Sequence, residues 1–261
     1  MIRVSMPTPD ASRAATVRRR SYAHPPVVER IVEVHVIPGP TSIRTAREAL
    51  TARWSEFGIV EELPVGAVQF SWNIGDGTVQ TTHEQGDARL RFWREDRQRL
   101  FQVSRELFVA NDLSMEPGWP DLFPLFRRGY ADFRTVLQPR SVVKAVLRYL
   151  NRIELPKATS ADTVFTIFPT LPLERQRSGA AFQMVVDLGD VGSGPSLLNL
   201  VFAGSEAQPV YMLNLTVESG ARPVEDPEAL FQWANEAHGR MTELFESSIT
   251  PKARELFAER S

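Results

Sequence analysis

The polar residues best placed to recognise another molecule stand close together near the middle of this chain. They lie within residues 142–156, a stretch that otherwise has the composition of a β-strand: Arg148, Tyr149, Asn151, Arg152 and Glu154. Successive side chains of a strand point to opposite faces, so Arg148 and Arg152 share one face. Tyr149 and Asn151 share the other. The two guanidinium groups then stand about 13–14 Å apart, which suits a long polyanion or two carboxylates better than one small anion.

Carboxylates with a matching spacing occur on the first predicted strand. Glu29 and Glu33 are four residues apart, so they lie on one face of that strand. If this strand neighbours the one that carries Arg148 and Arg152, the four residues can form a ladder of cross-strand ion pairs. Each such pair contributes only ~0.2–1 kcal/mol, so the ladder would fix the register more than the stability. This structural role is our first interpretation of the arginines, and contact with a ligand or partner is the second.

The sequence lacks the residue patterns that common enzyme classes require. Cysteine is absent, which excludes thiolate nucleophiles, disulfides, iron–sulfur clusters and cysteine-ligated zinc. No metal-ligand spacing relates the four histidines, and no serine-nucleophile, phosphate-loop or dinucleotide-binding motif occurs. We therefore predict no catalytic residue, no metal site and no cofactor, and we favour a protein that is not an enzyme.

Composition and charge are those of an ordinary globular protein. The 261 residues include 30 Lys and Arg and 32 Asp and Glu, a formal net charge of -2, so no overall basic field attracts nucleic acid. No apolar run is long enough to span a membrane. A chain without cysteine fits a reducing compartment, and we predict a cytoplasmic protein. Residues 1–24 include Arg18, Arg19 and Arg20, lack hydrophobic periodicity and are predicted to form a flexible basic arm.

The rest of the chain alternates between strand and helix patterns. Within residues 27–37, Val28, Val32, Val34 and Val36 fall on one face and Glu29, Glu33 and His35 on the other, which predicts a half-buried strand. Long helices are predicted after Thr41 or Ser42, after Asp121 and after Asp226, where apolar residues recur at helical spacing behind a candidate capping residue. Further strands are predicted over residues 67–74, 88–94, 100–110, 142–155, 180–188, 197–203 and 210–217, with a short helix after Ser160.

Two halves of the chain repeat the same order of elements: strand, helix, three strands and long helix. The first unit covers residues 25–140, and the second covers residues 141–261 together with the C-terminal helices. Hairpin connections imply antiparallel pairing, and each long helix has one apolar stripe that can cover one face of a sheet. We predict an α+β fold built by internal duplication. The two units either share one sheet or pack face to face.

Four segments spread along the chain after the arm form a recognisable set: residues 26–29 (PVVE), 147–153 (LRYLNRI), 168–172 (FPTLP) and 245–250 (FESSIT). Together they resemble a sporadically distributed bacterial protein family of about this length, whose function is uncharacterised. The Arg-Tyr-x-Asn-Arg-Ile pattern of the central strand is the most specific part. The resemblance implies no reaction and no catalytic residue. The patchy distribution of the family implies an association with defence or mobile genes. The N-terminal arm departs from the family pattern.

These observations predict a non-catalytic binding or assembly protein that acts on another macromolecule, with a protein as the expected partner. The residues expected to make the contact are Arg148, Tyr149, Asn151, Arg152, Glu29 and Glu33. The alternative is an enzyme or a small-ligand sensor with a polar pocket between the two units. A third hypothesis is nucleic-acid binding through Arg18, Arg19 and Arg20 of the arm together with Arg89 and Arg91.

Overall fold

The structure is a computed structural model, and its described residues are 20–63, 66–72, 79–85, 88–114, 118–156, 159–168, 183–190, 194–202, 209–220 and 226–260. They form the mixed α+β fold with antiparallel sheets that the sequence predicts. These residues divide into two compact units. Unit A takes the described residues within Met1–Arg30, Val146–Gly220 and Gln232–Ser261, and unit B takes those within Ile31–Ala145 and Ala221–Phe231.

The elements follow one another in this order: β1 (Ser21–Tyr22), β2 (Val27–Ile37), α1 (Ile43–Arg53), β3 (Ile59–Leu63), β4 (Gly66–Trp72), β5 (Val79–Gln85), β6 (Arg89–Trp93), β7 (Arg99–Val103), β8 (Leu107–Asp112), α2 (Trp119–Leu137), β9 (Ser141–Glu154), β10 (Gln183–Asp190), β11 (Pro195–Phe202), β12 (Val210–Glu218), α3 (Pro227–Ser248), α4 (Pro251–Leu256) and β13 (Glu259–Arg260). The boundary between the units falls inside β2, β9 and α3. The sequence instead predicts a boundary near residue 140, at the end of a helix.

Unit A contains a sheet with the strand order β10-β11-β12-β9-β2. The pairs from β10 to β9 are antiparallel, and one row of side chains crosses four strands, from Val185 through Asn199 and Asn214 to Leu150. The next row buries Leu200, Leu213 and other apolar side chains on the opposite face. That face is covered by α3, whose His238 contacts Tyr149. Alternation along the strands therefore separates a covered face from an outer face.

The chain termini of unit A are tied together by β1 and β13, which pair in antiparallel orientation. The backbone N–H groups of Ala23 and His24 also donate to the carbonyls of Ala258 and Phe257, at 2.9 and 3.0 Å. Residues 20–24 are therefore held in place, and the prediction of a flexible arm that extends to residue 24 is corrected for these five positions. Residues 1–19 lie outside the described part of the chain.

Unit B contains a sheet with the order β2-β8-β7-β6-β3, and β4 pairs with β5 in a separate hairpin. Helices α1 and α2 pack on one face around an aromatic core: Trp54, Phe57, Phe92, Phe101, Phe108, Phe126, Tyr130 and Phe133. The predicted cap of α1 is present, because the Ser42 side chain accepts from the Thr45 N–H at 3.2 Å. An added Cβ at Gly129 would stand 2.6 Å from the Phe101 ring, so α2 needs glycine there to lie this close to the sheet.

Several predicted elements need correction. The predicted strand 100–110 is two strands, β7 and β8, because the chain turns at residues 104–106 and the Ser104 N–H donates to the Leu107 carbonyl at 2.9 Å. Helix α2 begins at Trp119 rather than after Asp121, which places Pro124 inside the helix. The short helix expected after Ser160 is a 3-10 turn over Ala161–Thr163. Strands β3 and β5 were not predicted.

Candidate functional site

The central segment of β9 divides its polar side chains between the two faces of the unit A sheet. Asn151 is buried on the covered face, where its Nδ2 donates to the Leu213 carbonyl at 3.0 Å. This bond links β9 to β12, so the Asn151 amide has a structural role within the sheet. Arg152 lies on the outer face and forms an ion pair with Glu154 of the same strand. The segment is therefore not one compact site.

The predicted ladder requires that β2 and β9 are neighbours and that the two glutamates stand opposite the two arginines. The first of these conditions is met. The Arg152 N–H donates to the Pro26 carbonyl at 2.8 Å, so the start of β2 lies beside β9. Arg152 consequently stands beside Pro26, seven positions before Glu33 along β2. The Glu33 carboxylate contacts the His35 ring nitrogen Nε2 at 3.3 Å. The pairing of Glu29 with Arg148 stays a prediction.

A polar cluster on the covered face joins three elements of unit A. The Tyr149 hydroxyl and Nδ1 of His238 are 2.8 Å apart, within hydrogen-bonding distance. The buried Arg30 guanidinium lies 5.9 Å from the centroid of the Tyr149 ring, a cation–π arrangement. Sequence reasoning missed Arg30 and assigned no role to His238. A signal existed, because Arg30 has the same parity in β2 as Val28 and therefore interrupts the predicted apolar face.

A second cluster in unit A surrounds the buried carboxylate of Glu246. The Tyr22 hydroxyl donates to Glu246 Oε1 at 2.6 Å, and Arg254 Nε donates to Oε2 at 3.0 Å. Burial, followed by the bond to Glu246, raises the pKa of Tyr22 well above its usual range. Because Tyr22 belongs to β1, this cluster fastens the N-terminal strand to α3 and α4. The Arg20 side chain reaches the same cluster. Its Nε lies 3.6 Å from Glu246 Oε2, and its guanidinium forms an ion pair with Glu259.

Three rows of cross-strand neighbours on the outer face of the unit A sheet, together called outer face A, contain twelve side chains from four strands. They are Gln183, Val185, Asp187, Leu197, Asn199, Val201, Met212, Asn214, Thr216, Arg148, Leu150 and Arg152. All are exposed or half-buried, and Val185 is 54% exposed. Asn199 accepts a hydrogen bond from Gln183 at 3.1 Å. Oδ1 of Asn214, in the middle of the face, has no hydrogen-bond partner among the described residues.

The outer face of the unit B sheet, called outer face B, carries Ile59, Glu61, Leu63, Arg89, Arg91, Trp93, Leu100, Gln102, Val109 and Asn111. Leu100, Val109 and Asn111 are buried there. A chain of hydrogen bonds crosses β6, β7 and β8, because Arg91 Nε donates to Gln102 at 3.3 Å and Gln102 Nε2 donates to Asn111 at 3.0 Å. Trp93 donates to Glu61 at 2.9 Å. The guanidinium of Arg97 in the adjacent turn also donates to Glu61, and this bond is the main cause of the lowered pKa of that carboxyl.

The residues predicted to bind nucleic acid do not form one basic surface within the described residues. Arg18 and Arg19 lie outside them, and Arg20 is paired with acidic side chains in unit A. Arg91 donates to Gln102 in unit B, where Arg89 is half-buried. Nucleic-acid binding stays a prediction that these positions do not favour.

Comparison of the sequence with protein-family models and with curated proteins finds no match. Within the described ranges, no group of three acidic or histidine side chains is arranged to hold a metal ion. No helix in those ranges is long and apolar enough to cross a membrane.

Proposed function

We propose that this chain is a non-catalytic binding or assembly protein that acts on another protein through outer face A. The observation that carries the proposal is the composition of this face. Five of its twelve side chains are apolar, namely Val185, Leu197, Val201, Met212 and Leu150, and its charged residues are two arginines and one aspartate. These three rows contain no lysine, and Glu154 and Glu218 continue the same face of β9 and β12 at its two ends.

This composition is unusual for the solvated side of an antiparallel sheet. Such a side normally carries polar residues at every second position, because those positions face water. Protein–protein interfaces are enriched in methionine and arginine and depleted in lysine and glutamate. The methionine, the two arginines and the lack of lysine in outer face A follow the second pattern, and this supports a protein as its partner.

The arginines of the face can supply polar contacts to that partner. The side chain of Arg152 is 47% exposed, and its ion pair with Glu154 is a surface pair. Surface pairs contribute about 0–1 kcal/mol, so Arg152 can exchange Glu154 for a carboxylate of the partner at little cost.

The biological setting that we propose is bacterial defence or mobile genes, in the cytoplasm. Its support is the resemblance of the Arg-Tyr-x-Asn-Arg-Ile pattern, at residues 148–153, to the sporadically distributed family. Neighbouring genes of defence or mobile-element type around homologues in several genomes would strengthen this setting, and ordinary housekeeping neighbours would remove its support.

A small-ligand sensor or enzyme is the second candidate, and the Tyr149–His238 contact beside Arg30 favours it. A bound ligand of this cluster would shift the His238 ring resonances in NMR spectra. The test is a titration with a library of small anions, followed by Tyr149→Phe. A ligand whose binding is lost in Tyr149→Phe would support this candidate over the first.

The proposed function is tested with charge substitutions on two exposed strand positions. Leu197→Asp places a carboxylate in the centre of outer face A, whereas Val143→Asp does the same at an exposed valine of unit B. We expect a partner purified with the wild type to lose at least about thirtyfold in affinity with Leu197→Asp, the size of an interface hot spot. Val143→Asp should bind it normally. Equal affinity for both variants would contradict the proposal.

A further inference from the structure

The β10 strand has a free edge within the described part of unit A. It is the terminal strand of its sheet and pairs only with β11 among the described residues. The side of a terminal strand that faces away from the sheet presents unpaired backbone N–H and C=O groups, which can bind another strand. Along β10 the side chains are exposed or half-buried, and among the described residues no second strand occupies this edge.

The other terminal strand, β3 in unit B, is built differently. It has five residues, two of which are Glu61 and Glu62, and both are engaged in ion pairs, with Arg97 and Arg47. Charged side chains on a short edge strand discourage pairing with another chain. β10 has eight residues, contains no lysine or proline and exposes Val185. Its two acidic residues, Asp187 and Asp190, lie in its second half, so residues 183–186 lack the charges that protect β3.

The shape of β10 limits pairing to its first part. Residues 183–187 pair one for one with β11, whereas the register shifts between Asp187 and Asp190. Gly189 in that stretch has a φ of +73°, which bends the strand end. The regular run thus has Val185 at its centre, two residues from Gln183 on one side and two from Asp187 on the other.

We propose that two copies of this chain pair through β10 in antiparallel orientation, with Val185 of one copy facing Val185 of the other. This register places Gln183 of each copy opposite Asp187 of the other, so an amide donor meets a carboxylate acceptor twice. A parallel pair would place Asp187 beside Asp187, and like charges opposite each other are unfavourable. The occupant of the edge is therefore a second copy. This inference does not rest on the proposed function. The pairing uses the backbone groups at the edge of β10, whereas the proposed function uses the side chains of outer face A.

A cysteine scan tests both the pairing and its register. The natural chain contains no cysteine, so one introduced cysteine is unique. Under oxidation with copper phenanthroline we expect Val185→Cys to form a covalent dimer with itself. Gln183→Cys and Asp187→Cys should each fail to crosslink alone and should crosslink when mixed. Val143→Cys, which is similarly exposed on β9, is the control for random collision.

Charge substitutions at one position test the same register by a second route. In sedimentation experiments over a concentration series, Gln183→Lys should tighten the dimer about two- to thirtyfold, because two Lys–Asp pairs replace two amide contacts. Gln183→Glu should weaken it. Val185→Asp should abolish the dimer, and Val143→Asp should leave it unchanged. Circular dichroism confirms that each variant is folded.

Each alternative result overturns the proposal. A wild type that stays monomeric at all concentrations shows that β10 does not pair with a second copy. Self-crosslinking of all three single cysteines indicates a parallel pair and refutes the register. A dimer that survives Val185→Asp uses another surface. Loss of partner affinity in Leu197→Asp, with the dimer intact, separates this inference from the proposed function.

Discussion

The outer face of the strands in unit A and the outer face of the strands in unit B are built differently. On outer face B, polar side chains hydrogen-bond to one another in a chain from Arg91 through Gln102 to the buried Asn111. On outer face A all twelve side chains are exposed or half-buried, and the bonds between its described side chains include one from Gln183 to Asn199. A surface whose polar groups already satisfy each other offers few of them to another molecule. The contrast therefore points to outer face A for partner binding.

The largest effect that separates the faces concerns stability. Gln102→Ala removes the donor to Asn111 and the acceptor of Arg91 Nε, and Asn111 is only 2% exposed. We expect a loss of about 1–3 kcal/mol in the free energy of unfolding, the cost of leaving buried polar groups unpaired. Urea denaturation at several protein concentrations measures it.

The matched change on outer face A is Asn199→Ala, which removes the acceptor of the exposed Gln183. Water can replace that bond, so the loss should stay within about 0.5 kcal/mol, as for other surface substitutions. Equal losses for Gln102→Ala and Asn199→Ala would show that the two faces do not differ in this respect.

A smaller effect is expected from Asn214→Leu. Oδ1 of Asn214 is buried and unpartnered among the described residues, and its neighbours across the sheet include Leu150. Removing the unsatisfied acceptor should leave stability unchanged or raise it by up to about 1 kcal/mol. The measurement is the urea midpoint at constant slope. A loss above about 1 kcal/mol would mean that Asn214 has a stabilising partner.

The smallest effect concerns pH and Glu61 on outer face B. Hydrogen bonds from Arg97 and Trp93 lower the pKa of this carboxyl below 4.5. A group whose pKa is lower in the folded state stabilises the fold above its unfolded pKa, and this contribution is lost as the pH falls through its folded pKa. The indole N–H resonance of Trp93 should therefore shift below about pH 4.5.

Two variants check the origin of that shift. In Glu61→Gln the Trp93 resonance should no longer move with acid, because the titrating group is gone. Glu62→Gln alters the next residue, on the opposite face of β3, and should leave the shift in place. A Trp93 resonance that still titrates in Glu61→Gln would assign the change to another group.

Local patterns in the sequence were enough to predict much of the fold. The alternation of 27–37 predicted β2, and Ser42 with the apolar spacing behind it predicted α1 and its cap. β3 was missed because Glu61 and Glu62 are adjacent and interrupt any alternation within five residues. β7 and β8 were merged because the turn at residues 104–106 contains neither glycine nor proline.

The clusters could be predicted less well, because they depend on contacts between distant residues. Alternation did place Tyr149 and Asn151 on one face of β9 and the arginines on the other. However, nothing local brings His238 to Tyr149, 89 residues away, or Tyr22 to Glu246, 224 residues away. The outer faces likewise emerge only once the order of the strands is known.

The central claim is that outer face A, and not outer face B, binds the partner protein. Photo-crosslinking in the native host tests it directly, with a benzophenone amino acid in place of Leu197 on outer face A or in place of Trp93 on outer face B. Both positions are half-buried on a strand. We expect a specific crosslinked protein from position 197, lost when Met212→Asp is added, and none from position 93. Crosslinks from position 93 alone, or equally from both positions, would contradict the claim.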